Sequence, residues 1–318
     1  MIILTPLTGY VLVLISCILA TFRASSLVGQ WVCLEVNILC IIPILVYSIT
    51  EDSILTRVKY FISQRVASLL FVLGLFLFGE LSVGVTFITL IILFKLGLPP
   101  MQRWLIRMLP TIGNMRIFLI FTVQKIIPLV IIRFLKISPM IIILVLRGCL
   151  LFIISSLRQT RSIPMLIFLS SVVNGAWVLR NVGVGGRWAI FIRVYSLILL
   201  RVMLCLRKIG VNKVGDLAGV SLFRGLLLRL QFLNLGGLPP LLGFLIKLMI
   251  IKQLRSLSFS YLGGLVFLSL LILFIYTTFA HQSYCFNRSQ RLDKVEGVRV
   301  GLALCTLIAS GLGLFYLI

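Results

Sequence analysis

The 318-residue chain has few charged residues, and almost all of them carry the same sign. Lys and Arg together number 30, Asp and Glu only 7, and His 1; charged residues make up 12% of the chain and hydrophobic ones 61%. An ordinary soluble domain has about 25% charged residues and less apolar content. The composition therefore excludes a soluble fold and indicates a protein that lies in a membrane.

Polar stretches long enough to form an extramembrane domain are also missing, since the longest, 281–299, is under twenty residues. The chain has no P-loop, no dinucleotide-binding glycine motif after a strand, no HExxH and no hydrolase triad order. Residues 1–4 show neither a basic flank nor a small-residue cleavage site, so we expect no secretory signal and no transit peptide. The sequence therefore offers no extramembrane segment that could hold the active site of a soluble enzyme.

The seven cysteines and the single histidine form no metal-binding pattern. The cysteines lack CxxC spacing and most lie in apolar segments, so we interpret them as small packing residues. His281 follows an apolar run and is expected at a membrane interface. We therefore expect no metal and no cofactor bound by this chain. The cysteines are Cys17, Cys33, Cys40, Cys149, Cys205, Cys285 and Cys305.

Apolar segments recur along the whole chain. A helix needs about 20 apolar residues to cross a hydrocarbon core about 30 Å thick, and the segments reach that length. The sequence therefore predicts an all-α fold, a polytopic transmembrane bundle of about 11 helices. The predicted spans are 2–20, 27–48, 57–79, 81–106, 114–135, 138–157, 161–180, 187–207, 217–254, 258–279 and 299–318.

The fourth and ninth predicted spans are unusually long, and each contains a Gly/Pro cluster. Proline has no N–H and clashes with the carbonyl four residues earlier, so both helices should break. Such backbone persists in a membrane only where protein or water satisfies it. The clusters are Gly97, Pro99 and Pro100 in the fourth span and Gly236, Gly237, Pro239 and Pro240 in the ninth.

The two clusters indicate an internal repeat, because Pro99 and Pro239 lie 140 residues apart and each falls in the fourth span of a five-span block. We interpret 1–137 and 138–280 as two inverted five-helix repeats, followed by a loop and a C-terminal helix in 281–318. Inverted-repeat transporters place their working site near such discontinuous helices. The alternative is that the prolines kink two unrelated helices.

Four ionisable residues inside the predicted spans are candidates for function. A charge at the centre of a bilayer costs about 2.5–3.5 kcal/mol even on the lenient insertion scale. Desolvation favours the neutral form of a buried lysine and a nearby carboxylate favours its charged form, so a glutamate with several lysines can pass protons in steps. For each lysine alone, snorkelling to the interface is the alternative. The four are Glu35, Lys95, Lys125 and Lys247.

The remaining charges suggest only a bilayer as partner. The other six acidic residues fall at predicted loops or span ends and are expected to be solvated. The formal net charge of +23 is dispersed along the chain, which favours phospholipid headgroups rather than nucleic acid as the counter-charge. Those six acids are Glu51, Asp52, Glu80, Asp216, Asp293 and Glu296.

Several of these segments resemble one family when they are taken together and in order. They lie within about residues 26–250, and the candidate ionisable residues and both Gly/Pro clusters fall among them. The chain resembles the subunit 2 family of mitochondrial NADH dehydrogenase, which is respiratory complex I. The segments are 26–37, 59–61, 94–97, 124–128 and 235–244.

The resemblance implies an antiporter-like, proton-pumping subunit in the membrane arm of complex I, in the mitochondrial inner membrane. Its partners would be other membrane-arm subunits, especially neighbouring antiporter-like ones, and phospholipids. NADH, flavin, iron–sulfur clusters and ubiquinone would be bound by other subunits, with no redox centre in this chain. The resemblance also implies that Glu35 and Lys95 form the Glu/Lys pair of the first half-channel, with Lys125 as the central and Lys247 as the distal lysine.

A charge change arriving from a neighbouring subunit is then expected to alter the Glu35/Lys95 pairing, and in turn the proton affinities of Lys125 and Lys247. The chain departs from the family where relatives have relay histidines: after the first break it has Gln102 in the run 101–104, and in 173–177 it has Asn174 without a histidine. Proton transfer would have to use Gln102, Asn174, serines or ordered water.

The arginines do not fit a membrane interior. There are 21 of them against nine lysines, and several fall inside apolar spans, namely Arg65, Arg147, Arg193, Arg201 and Arg229. They could line water-filled paths, although an arginine is effectively always charged and would block proton transfer rather than carry it. Alternatively, some are serines in the living protein, since many non-vertebrate animal mitochondria translate AGA and AGG codons as serine. Tandem mass spectrometry of the Arg229 peptide tests this, because trypsin cleaves after arginine and not after serine.

Two other functions stay open. A stand-alone cation/proton antiporter of the same repeat design would purify as an active protein, which migration on a native gel distinguishes from a large complex. A structural subunit that fills the membrane arm without pumping is favoured by the missing histidines and the intramembrane arginines. Ordered water joining Lys95, Lys125 and Lys247 would argue against the structural subunit.

Overall fold

The computed structural model describes residues 4–46, 51–78, 82–135, 137–156, 162–211, 216–217, 220–253 and 259–288. Regular secondary structure in these ranges is helical, which confirms the predicted all-α class. A 3₁₀ turn at Leu109–Thr111 lies between α5 and α6. The α-helices are α1 Leu4–Arg23, α2 Leu27–Val46, α3 Glu51–Phe78, α4 Ser82–Leu96, α5 Arg103–Ile106, α6 Asn114–Phe121, α7 Val123–Phe134, α8 Pro139–Ser156, α9 Ile163–Gly183, α10 Trp188–Ile209, α11 Leu222–Gly236, α12 Leu242–Gln253 and α13 Phe259–Arg288.

Seven segments of the described chain are long and apolar enough to cross a membrane, and two shorter apolar helices accompany them, Thr8–Arg23 and Val83–Leu96. The chain is a multi-pass membrane protein, as its composition predicts. The seven segments are Leu27–Leu45, Thr56–Leu77, Asn114–Phe134, Pro139–Ser156, Ile163–Gly183, Trp188–Ile209 and Tyr261–His281.

The surface of the described helices differs from that of a soluble protein. Large apolar side chains are exposed on the helices, with Phe76 80% and Leu151 70% exposed. Amide side chains are buried instead, as at Asn37, Gln64 and Asn234. Soluble proteins rarely expose such continuous apolar surface, whereas lipid tails solvate it well. The outer apolar side chains therefore suit a hydrocarbon environment, and the polar chemistry lies inside.

Most predicted spans coincide with one helix, and three do not. The predicted span 81–106 comprises α4, a break and the one-turn α5. The span 217–254 comprises α11, a break and α12, and the span 114–135 comprises α6 and α7, which meet at Thr122. The predicted eleventh span, 299–318, lies outside the described residues.

The chain divides into two compact units, Met1–Val145 and Leu146–Ile318. In the first unit, α2 packs against α1, α3 and α7, while α4 packs against α3 and α7. In the second unit, α9 is the most buried membrane-crossing helix of the described chain and packs against α10, α12 and α13. The boundary expected after residue 137 and the inverted relation of the two repeats stay predictions.

Candidate functional site

The first helix break follows α4. Gly97 has a φ of +66°, a left-handed conformation that glycine adopts without a steric cost. The N–H of Leu98 donates to the carbonyl of Leu93 over 3.1 Å, which closes a Schellman turn at the helix end. Pro99 and Pro100 come directly after this turn, so the helix ends where the Gly/Pro cluster lies.

Trp104 of α5 packs against the end of α4. Its Nε1 donates to the carbonyl of Phe94 over 3.0 Å. Its rings also stack on the Phe94 ring, with centroids 5.9 Å apart, and lie 6.0 Å from the ring of Tyr60. The Phe94 carbonyl already accepts the N–H of Gly97 over 3.0 Å, so the indole from beyond the break gives it a second donor.

Lys95 lies in the last turn of α4 with only 7% of its surface exposed. Its Nζ is buried and has no hydrogen-bond partner in the described structure. A buried ammonium is costly unless it is paired or hydrated. A water molecule or a carboxylate that bonded to this amine would therefore stabilise its charged form.

Lys95 and Lys125 line the same small cavity of the first unit. Lys125 lies on α7, is half-buried, and places its Nζ 5.8 Å from the centroid of the Phe121 ring. None of the described lining residues carries a carboxylate. The polar and aromatic residues that line the cavity are Asn37, Tyr60, Gln64, Lys95, Trp104, Gln124 and Lys125.

Two amides of this cavity bond to each other across helices α2 and α7. Asn37 Nδ2 donates to Gln124 Oε1 over 2.9 Å, and Gln124 Nε2 donates to Asn37 Oδ1 over 3.3 Å. Asn37 is 1% exposed. The reciprocal pair fixes α2 beside the helix that carries Lys125.

Glu35 makes its ion pair with Arg65 of α3 and not with Lys95. The Glu35 side chain is 14% exposed and that of Arg65 30%. The Arg65 guanidinium also lies over the Phe61 ring, 5.1 Å from its centroid. Glu35 remains near enough to attract a charged Lys95, while Arg65 repels it. Of the two cations that it attracts, the carboxylate bonds to the one that cannot release its proton.

The second break, after α11, repeats the backbone pattern of the first. Gly237 has a φ of +86°, and the Leu238 N–H donates to the Leu233 carbonyl over 3.2 Å. The predicted break residues Gly236, Pro239 and Pro240 lie at the end of α11 and directly after it.

The side chain of Lys247, on α12, reaches the second break. It is 6% exposed, and its Nζ donates to the carbonyl of Gly236 over 2.7 Å. Asn234 Oδ1 accepts the N–H of Gly243 over 2.9 Å, so α11 and α12 are joined twice across the break. A Cβ on Gly237 would lie 2.9 Å from Lys247 Nζ, which makes glycine the residue that leaves room for the lysine.

The two amides proposed to replace the relay histidines lie in different surroundings. Gln102 is half-buried, its Oε1 has no hydrogen-bond partner in the described structure, and it is absent from the described lining of the Lys95 cavity. Asn174 is 5% exposed on α9 and lies beside the hydroxyl of Tyr195 together with Ser170 and Ser171.

The other intramembrane arginines do not converge on a site. Arg147, Arg193 and Arg201 are exposed on α8 and α10, both long enough to cross a membrane. Arg229 is 5% exposed on α11. A charge on a membrane-crossing helix is costly where it meets hydrocarbon, so the three exposed positions suit serine better than arginine. That some of them are serine in the living protein stays a prediction.

Gln64 was not singled out in the sequence, and Arg65 was singled out only as an intramembrane arginine and not as the partner of Glu35. Gln64 follows Tyr60 by four residues on α3, and this spacing places both side chains on one helix face. In the sequence, the one indication that Gln64 belongs to the site was an amide four positions after an aromatic residue in an apolar segment. Within the described ranges, no group of three or more His, Cys, Asp or Glu side chains could hold a metal ion.

The arrangement can move protons. The charge state of lysine, unlike that of arginine, responds to burial and to neighbours, so two lysines on one cavity can exchange a proton through an intervening donor and acceptor. The helices that line the cavity also contribute apolar side chains to it, namely Leu34, Ile38, Leu96, Leu105, Ile120 and Pro128.

No family model matches the chain, but individual proteins do. A NADH-ubiquinone oxidoreductase chain 2 from Patiria pectinifera is 31% identical over 272 residues, covering 80% of this chain and 77% of the relative. A protein of the same name from Anopheles gambiae is 28% identical over 295 residues, covering 87% of this chain and 86% of the relative.

Solved structures share the fold at low identity. A chain of respiratory complex I from Thermus thermophilus with bound aureothin superposes with a TM-score of 0.76 at 18% identity, covering 95% of this chain and 77% of that chain. A chain of the Mrp complex from Dietzia sp. superposes with a TM-score of 0.73 at 15% identity, covering 85% and 59%.

Proposed function

Because the chain belongs to the NADH-ubiquinone oxidoreductase chain 2 family, we propose that it translocates protons as a membrane-arm subunit of NADH:ubiquinone oxidoreductase. Its partners are the other membrane-arm subunits and phospholipids, and its membrane is the mitochondrial inner membrane. Electron transfer occurs in other subunits, which bind NADH, flavin, iron–sulfur clusters and ubiquinone. This chain itself holds no redox centre.

The observation that carries the proposal is the cavity shared by Lys95 and Lys125 inside an apolar bundle. A lipid-embedded protein has no packing need for two lysines on one internal cavity, and intramembrane ionisable residues typically mark proton paths. Lys247 supplies a third buried lysine, in the second unit. Glu35, Lys95, Lys125 and Lys247 are the proposed relay groups.

Glu35 is the proposed entry point for the coupling signal. Its carboxylate interacts with Arg65 directly and with Lys95 at longer range. A change of charge in a neighbouring subunit that draws Glu35 toward Lys95 would stabilise the ammonium form of Lys95, and a change in the other direction would release its proton. The release then affects Lys125, which lines the same cavity.

The test is Lys125→Met in the assembled complex, reconstituted in sealed vesicles. The substitution keeps the length and apolar stem of the side chain and removes the amine. We expect proton pumping per NADH to be lost, while NADH oxidation by an artificial acceptor stays unchanged because that chemistry lies elsewhere. Lys208→Met, which removes an exposed lysine of α10, is the control. Unchanged pumping in Lys125→Met would refute the proposed role.

A non-pumping structural subunit is the second candidate, and one observation favours it. Arg65 holds Glu35, and an arginine that keeps its proton also keeps the carboxylate from serving Lys95. If the first unit is inactive for this reason, Lys125→Met will pump like the unsubstituted complex. The same measurement therefore decides between the two candidates.

A further inference from the structure

The amide pair Asn37–Gln124 lies on the cavity that the two lysines share. A carboxamide offers two N–H donors and one oxygen with two lone pairs. The two mutual bonds use one donor and one lone pair of each partner. Each amide therefore retains one donor and one acceptor position, and neither can be protonated near neutral pH.

No described group lies within hydrogen-bond distance of Lys95 Nζ to take its proton directly. Lys95 Nζ has no hydrogen-bond partner in the described structure, and the described lining residues other than the two lysines are amides, aromatic residues and apolar side chains. Buried water occurs where several polar groups converge on a space that can hold it, and it makes about three hydrogen bonds there. Asn37, Gln64, Gln124 and the two amines supply such groups.

We propose that the Asn37–Gln124 pair, together with Gln64, is a water-binding site that positions the proton carrier between Lys95 and Lys125. The inference rests on the proposed proton-translocating function and adds residues to it. The amides are positioning residues: they orient the water and do not gain or lose protons.

The step balances without any further reactant. The ammonium of Lys95 gives one proton to the bound water, the water gives one of its protons to the neutral amine of Lys125, and the water is regenerated. One N–H bond breaks at Lys95 and one forms at Lys125. No electron transfer is involved, and the net charge of the cavity is the same before and after.

A purely structural role for the pair, holding α2 against α7, makes different predictions. Gln124→Leu removes the site while keeping the side-chain volume, and we expect pumping to slow by about tenfold or more, with a larger solvent deuterium isotope effect. A structural defect would change assembly and leave the isotope effect unchanged. The double variant Asn37→Gln/Gln124→Asn exchanges the two amides, and we expect it to recover most of the pumping.

The matched control is Gln30→Leu. Gln30 is another buried amide of α2, its Nε2 donates to the Ala24 carbonyl over 3.2 Å, and it does not belong to the described lining of the cavity. We expect its substitution to leave the isotope effect unchanged.

Two outcomes separate this inference from the function on which it rests. Normal pumping and a normal isotope effect in Gln124→Leu, with pumping lost in Lys125→Met, overturn the water site and leave the function standing. Normal pumping in Lys125→Met overturns the function. A high-resolution map of the intact, unsubstituted complex gives a test that needs no variant: water between Lys95, Gln124 and Lys125 supports the site, and a dry cavity overturns it.

Discussion

The two helix breaks have the same backbone and use their lysines differently. At each break a left-handed glycine follows the helix and a Schellman bond closes its end. Lys95 precedes its break and has no hydrogen-bond partner in the described structure, whereas Lys247 follows its break and donates to the Gly236 carbonyl. At the first break, Trp104 donates to the carbonyl of Phe94, two residues before the end of α4, whereas Lys247 donates to that of Gly236, the last residue of α11. A repeated backbone motif therefore does not repeat the chemistry of its side chains.

The largest effect is expected from Gly237→Ala. A Cβ at this position would meet Lys247 Nζ at 2.9 Å, and the φ of +86° strains any L-residue. The strain costs about 1–2 kcal/mol, and displacing the flexible end of Lys247 from the Gly236 carbonyl adds up to about 1.5–3 kcal/mol, so the complex should be clearly less stable. The measurement is the temperature at which intact complex disappears from a native gel.

Gly210→Ala is the matched control for that prediction. Gly210 has a φ of +74° but open space around its missing Cβ, so only the strain of about 1–2 kcal/mol applies. Equal losses in the two variants would show that Lys247 does not hold the second break.

Substituting the two lysines in parallel sharpens the comparison directly. Lys247→Met should lower stability by about 1–3 kcal/mol, because the Gly236 carbonyl loses its donor. Lys95→Met should cause no loss of stability, because it removes a buried amine without a hydrogen-bond partner. Both variants should lose proton pumping, measured in vesicles. A loss of stability in Lys95→Met as large as in Lys247→Met would remove the distinction between the breaks.

The smallest effect is expected from Trp104→Phe. The ring contacts with Phe94 and Tyr60 are kept in part, while the hydrogen bond to the Phe94 carbonyl is lost, at a cost of about 1 kcal/mol. We expect a small decrease in thermal stability and normal pumping. If pumping falls sharply while stability is kept, Trp104 belongs to the proton path and is more than a cap.

Local sequence patterns were sufficient for most helices and for the two Gly/Pro breaks, but not for the interruption between α6 and α7 at Thr122. Apolar segments of membrane-spanning length and the Pro99 and Pro239 clusters act within a few residues, so they predict where helices lie and where they end. Lys95 and Lys247 were identifiable for the same reason, since a lysine inside an apolar helix is conspicuous in the sequence alone.

The partners of these residues were not predictable, because they depend on how distant helices pack. Asn37 and Gln124 are 87 positions apart, and Glu35 and Arg65 are 30 apart. The family resemblance implied Lys95 as the partner of Glu35, but helix packing brings the longer, planar side chain of Arg65 to the carboxylate. Gln64 was overlooked because a single amide in an apolar helix carries no charge to draw attention.

The bond between Lys247 and Gly236 has a mechanical consequence. The atom that would accept or release a proton is the atom that fastens the end of α11. A charged ammonium makes a hydrogen bond roughly twice as strong as a neutral amine does. Loading this side chain with a proton would therefore tighten the joint between α11 and α12, and unloading it would loosen that joint. The charge of Lys247 and the position of α12 relative to the end of α11 would then change together.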